Sequence, residues 1–114
     1  MKLNNRLLDK PILLWSNPNP NTALDETSIS INTTAYNWLI IVYKEIGNSD
    51  WGKKTAKIGA SADNSYNQIQ GMGGSSRTIR IYSGSISFNK GYNGSGNEDN
   101  YVLVPIAIYG TNSL

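Results

Sequence analysis

Residues 36–45 read YNWLIIVYKE, Tyr36 to Glu45, and this run decides the fold. Trp38, Ile40 and Val42 fall on one face of an extended chain, and Leu39, Ile41 and Tyr43 on the other. β-Branched and aromatic residues dominate the run. A helix fits its length, but the composition favours a central β-strand covered on both faces.

Working outward, the neighbouring segments repeat the same grammar of short strands between turn residues. Thr27–Thr33 alternates Ile29 and Ile31 with polar residues, so the two Ile side chains point inward. Pro11–Ser16 is a short apolar strand stopped by Asn17-Pro18-Asn19-Pro20-Asn21. Beyond the central run, Gly47–Lys54 is a turn and Thr55–Ser61 a short strand carrying Ala56 and Ile58. Ala62–Gly74 reads as a long polar loop, of a size that often carries function. Ser76–Tyr82 turns Ile79 and Ile81 inward and Thr78, Arg80 and Tyr82 outward. Ser83-Gly84 closes a hairpin onto Ser85–Asn89, with Ile86 and Phe88 inward. Lys90–Asn100 is a second Gly/Asn loop. Tyr101–Tyr109 ends the fold with Val102, Val104, Ile106 and Ile108 inward. Pro105 cannot donate to a ladder, which implies an edge position or a bulge. The expectation is a single all-β domain over 11–114, an antiparallel β-sandwich or jelly-roll-like fold of about seven strands. Residues 1–10 are a lead-in or neck fragment, either one or two helical turns or a frayed end.

The 114 residues suit one hydrophobic core. Hydrophobic residues make up 39% and charged residues only 16%, below the roughly 25% usual for globular chains. Asn, Ser, Thr and Gly fill the difference. Such neutral polar surfaces suit carbohydrate, because amides and hydroxyls pair with sugar hydroxyls. The net charge of +2 is scattered, with Lys53-Lys54 the main doublet, so no phosphate track for nucleic acid emerges. There is no Cys for disulfides or thiolate chemistry, and no His, the commonest general base and metal ligand. The N-terminus, broken by Asn5, Arg6, Asp9 and Lys10, lacks a signal-peptide apolar run, and no stretch reaches membrane-spanning length. The sequons at Asn32 and Asn93 read as turn chemistry.

Three stretches taken together resemble a known family. Leu13-Leu14-Trp15-Ser16-Asn17-Pro18-Asn19-Pro20 resembles the L-W-[TS]-N-P-x-P opening of small domains at the ends of phage tail proteins. Tyr36–Tyr43 resembles their next strand. Arg77–Phe88 followed by Pro105-Ile106-Ala107-Ile108-Tyr109-Gly110 resembles their close. The likeness is to the C-terminal receptor-binding domain of a bacteriophage tail fibre or baseplate protein, from phages and prophages of Gram-positive hosts. It spans about residues 11–110 and rests on the order of individually weak motifs. It implies a homotrimeric β-rich tip on the virion, made in the host cytoplasm, touching other tail or baseplate proteins and adsorbing to a cell-surface polysaccharide. The matched residues are scaffold, so the resemblance hands over no ligand residues.

Candidate binding residues therefore come from the loops. Trp51 sits among polar turn residues in Gly47–Gly52, where an indole offers a flat apolar face to a sugar ring, and Asp50 can bond hydroxyls. Tyr66, beside Asn64, and Tyr92 follow the same logic. Each has a plainer reading as a residue folded onto the core or into an interface. Trp15 reads as a lid on the core and Trp38 as core. Asp63, Asn64, Glu98 and Asp99 lack the spacing of a calcium loop, so no metal is expected. Gly71–Ser76 lacks the Lys of a phosphate loop and precedes a strand, so no nucleotide or other cofactor is expected. No acidic residue lies in a context that would desolvate it for glycosidase work, and no Ser has a base. Binding rather than catalysis is the expectation. The alternatives are a trimeric structural cap of a tail fibre without receptor contact, or a free-standing lectin-like domain.

Overall fold

The computed structural model describes residues 10–46, 52–60 and 65–112. These form eight strands: β1 Ile12–Ser16, β2 Thr27–Ser30, β3 Trp38–Lys44, β4 Lys54–Gly59, β5 Ser65–Gln70, β6 Ser76–Tyr82, β7 Ser85–Tyr92 and β8 Val104–Thr111. Short 3₁₀ turns occupy Thr33–Ala35 and Met72–Gly74. No described helix is long and apolar enough to cross a membrane. Two antiparallel four-stranded sheets, β1-β8-β3-β4 and β2-β7-β6-β5, pack face to face. The chain is thus an all-β sandwich. The outer pairs, β1 with β8 and β2 with β7, nest as in a jelly roll. The inner strands close instead as the β3–β4 and β5–β6 hairpins.

The core lies between the sheets. Leu39, Ile41 and Tyr43 of β3 meet Ile79 and Ile81 of β6, Ile86 and Phe88 of β7, and Ile108 of β8, all buried. The hairpin turn at Ser83-Gly84 has Gly84 at φ 90°, a left-handed conformation suited to glycine. Thr33 ties the first 3₁₀ turn to this hairpin: its hydroxyl donates to the Tyr82 carbonyl and accepts from the Gly84 amide. Trp15 covers one end of the core, its ring 6.3 Å from Phe88 and tilted 35°.

Several expectations change. The strand count rises to eight because Ser65–Gln70, read as part of a loop, is β5; its apolar signal is a single residue, Ile69, buried against the core. The Tyr36–Glu45 run is covered on one face only among the described residues. Its other row, Trp38, Ile40 and Val42, is half-buried on the outside of the sandwich, so Trp38 is not core. Lys57 Nζ lies 5.4 Å from the Trp38 ring centre on that outer surface.

The last strand changes most. β8 starts at Val104 rather than Tyr101, and Leu103, out of phase with the expected inward stripe, is fully buried at φ 48°. Pro105 lies on a central strand, at a bulge: Tyr43 faces Pro105 while Val42 faces Ala107, leaving Ile106 as the extra residue. The bulge shifts the alternation by one place, so Ile106 leaves the inward stripe. Asn17 holds the bulge from the other side, its amide bonding Ile106 O at 2.7 Å and its side chain Pro105 O at 2.8 Å.

Candidate functional site

The two outer faces of the sandwich differ in chemistry. On β6, Arg77, Ile79 and Ile81 point inward, so Ser76, Thr78, Arg80 and Tyr82 point outward. Directly opposed residues of an antiparallel pair share a face. Tyr66 on β5 opposes Arg80, which opposes Ser87 on β7, which opposes Ser28 on β2. The next row runs Tyr82, Ser85, Ser30, and on the other side Gln68 opposes Thr78. The outer face of the β2-β7-β6-β5 sheet is therefore a lawn of hydroxyls and amides with Arg80 set among tyrosines.

Glu26, Tyr66, Thr78, Arg80, Tyr82, Ser87 and Asn89 border a concavity of about 350 Å³ on this face. The Arg80 guanidinium carbon lies 5.7 Å from the Tyr66 ring centre and 5.6 Å from that of Tyr82, within cation–π range of both. Tyr66 is 67% exposed, so its ring lies open at the rim. The arrangement offers a flat apolar surface, a planar cation and neutral donors and acceptors together.

Of the expected site residues, Tyr66 and Tyr92 come to this one face. Both sit on strands rather than in loops: Tyr66 on β5, and Tyr92 as the last residue of β7, which runs three residues past Asn89. Tyr92 opposes the outward Ser76. Trp51, Asp50 and Asn64 lie outside the described residues. Arg80, Tyr82, Thr78 and Asn89 were not singled out from sequence, although the alternation of Ser76–Tyr82 already puts three of them outward.

Below this face lies a group that supports it. Arg77 is fully buried. Its guanidinium donates five hydrogen bonds to backbone carbonyls: Nε and Nη2 to Val102, Nη2 to Asn100, and Nη1 to Leu24 and Asn89. Burial pushes its pKa down to about 10, opposed by the charges of Asp25 and Asp99, so it remains a cation at neutral pH. One side chain thereby joins the approach to β2, the β7 bulge and the 100–102 turn. Gly91 lies against it: a Cβ there would meet Asp99 O at 2.5 Å and Arg77 Nη2 at 2.9 Å. The same region carries Asn93, whose side-chain oxygen accepts the amides of Ser95 and Asn97, and the Lys90–Glu98 ion pair at 3.4 Å. Tyr92 thus leaves the sheet from a tightly fixed backbone.

Among the described residues no three His, Cys, Asp or Glu side chains gather where a metal ion would sit. No protein-family model, curated protein or solved structure matches the chain.

Proposed function

We propose that this chain is a saccharide-binding adhesin, the receptor-binding domain of a phage tail fibre or baseplate, which holds a host cell-surface polysaccharide without chemically altering it. The observation that carries the binding half is the outer face of the β2-β7-β6-β5 sheet. The open Tyr66 ring supplies the apolar platform that the C–H face of a pyranose requires. Around it, Thr78, Ser87, Asn89 and Arg80 supply donors and acceptors to hydroxyls. The phage half is supported by the order of the strand and turn motifs from Leu13 to Gly110.

Purified protein is expected to bind cell walls of Gram-positive bacteria and members of a broad glycan panel. Tyr66→Ala should weaken that binding about tenfold, the equivalent of about 1.4 kcal/mol. Retention of every wall and glycan interaction by Tyr66→Ala would move the site elsewhere. Absence of all binding by the parent protein would end the adhesin reading.

One observation favours the structural-cap reading beside it. The outer face of the β1-β8-β3-β4 sheet carries an apolar stripe, flanked by Lys57, Thr55 and Ser16: Leu13 opposes Tyr109, which opposes Ile40, and Ala107 opposes Val42. These side chains stand outside the core cluster. Such a patch suits contact between copies, as in a homotrimer, or with other tail proteins. Fibres lacking this domain that fail to trimerise would favour the cap. Normal assembly with lost adsorption would favour the adhesin.

A further inference from the structure

We infer that the ligand lies diagonally across the outer face of the β2-β7-β6-β5 sheet, one sugar ring on Tyr66 and another on Tyr92, so that the site selects an internal stretch of a linear saccharide rather than a single terminal sugar. This deepens the saccharide reading above and rests on it.

The argument starts from register. Tyr66 opposes Arg80 and Tyr92 opposes Ser76, so the two tyrosines occupy the same face, on strands either side of β6. They are separated by two inter-strand steps and by the four residues from Arg80 to Ser76. At about 4.8 Å per strand and about 3.4 Å per residue the diagonal is about 17 Å, the reach of about three linked pyranose rings. Along it lie Gln68, Thr78 and Ser76, all polar. Among the described residues Tyr66 and Tyr92 are two of the few large apolar side chains that are exposed, at 67% and 36%.

The far anchor is held in place. The β7 bulge, where Arg77 faces Gly91 while Ile79 faces Phe88, sets the phase that turns Tyr92 outward. Without that extra residue the alternation from Phe88 would turn Tyr92 toward the core. Arg77 bonds Asn89 O at 2.7 Å from below, and the Tyr92 backbone bridges to Glu98 from the side. Two stacking surfaces on a rigid sheet reward a ligand long enough to reach both. A shorter ligand engages one.

The test is a binding series of linear oligosaccharides, from monosaccharide to hexasaccharide, prepared from β-glucan, mannan and chitin, with fragments of Gram-positive wall polysaccharide alongside. Affinity should rise about tenfold between the disaccharide and the tetrasaccharide, equal to about 1.4 kcal/mol from a second anchor, and then level off. Tyr92→Ala should abolish that gain, and Tyr92→Phe should restore it. Tyr66→Ala should weaken every length. The melting temperature of each variant shows that the fold is kept. Affinity independent of length, or a length gain that survives Tyr92→Ala, would overturn the diagonal placement and leave the saccharide reading standing. No binding of any series member or wall fragment would overturn both.

Discussion

Replacing Arg77 with Met keeps much of the side-chain volume and removes every donor. For a buried ion pair, apolar replacement is often harmless, because both charged partners leave together. Here the partners are main-chain carbonyls, and they stay. Asn100 O keeps a bond from the Leu24 amide at 2.9 Å. The carbonyls of Leu24, Asn89 and Val102 lose the guanidinium. Each buried acceptor left without a partner costs about 1–3 kcal/mol. Release of the guanidinium from its buried position offsets part of the sum, so the net loss is about 3–5 kcal/mol. That is a large fraction of the ~5–15 kcal/mol available to a small domain. At about 4 °C per kcal/mol it lowers the melting midpoint by about 12–20 °C. Urea and thermal unfolding followed by circular dichroism measure both quantities. Arg77→Lys, a compact charge without the guanidinium fork, should fall between parent and Met. An Arg77→Met protein within about 1 kcal/mol of the parent, at unchanged urea dependence, would refute the reasoning.

Three further outcomes follow from the same structure. Gly94→Ala drives a Cβ into Gly73 O, a backbone atom that cannot step aside alone, so unfolding experiments should show a loss of about 1–3 kcal/mol. Ile40→Lys, on the outer face of the β1-β8-β3-β4 sheet, should change stability by less than about 1 kcal/mol and lower any concentration-dependent association seen by sedimentation; association unchanged by it would take that face out of the interface. Burial raises the Tyr43 pKa above 10.0, so its neutral form contributes stability that is whole below pH 10 and is lost as pH climbs through the raised value. Tyr43→Phe should flatten that part of the alkaline stability profile in a pH series of denaturant titrations.

The sandwich was legible where alternation is strong. Ile79, Ile81, Ile86 and Phe88 sit inward as the pattern requires, because hydrophobic burial sets their register directly. It faded where one apolar residue carries a strand, as Ile69 does for β5, or where an inserted residue resets the phase. Pro105 implied either an edge or a bulge, yet the choice between them, with Leu103 inward and Ile106 outward, depends on which partner the bulge faces, a long-range fact. Period-2 logic puts Arg77 on the same side as Ile79, a placement absent from the sequence expectations because hydropathy argues against a buried guanidinium. Only the convergence of four carbonyls from distant segments accounts for it. The proposed binding face was half legible. Tyr66 and Tyr92 stood out as aromatics among polar residues, whereas their shared face depends on the β5–β6–β7 pairing. Arg80 and Tyr82 passed unnoticed because an outward polar residue on a strand is ordinary until its neighbours across the sheet are known.

The opposed chemistry of the two sheets has a consequence for valency. The apolar face and the hydroxyl-rich face lie on opposite sides of one sandwich, so a partner seated on the first leaves the second open. Copies gathered through Ile40, Val42 and Tyr109 would each turn a Tyr66 surface away from the common axis. Weak single-site contacts would then add on one polymeric ligand, and avidity can exceed a single affinity by about 10²–10⁴ with no new contact at any site. A shallow platform on a small domain is sufficient under that arithmetic.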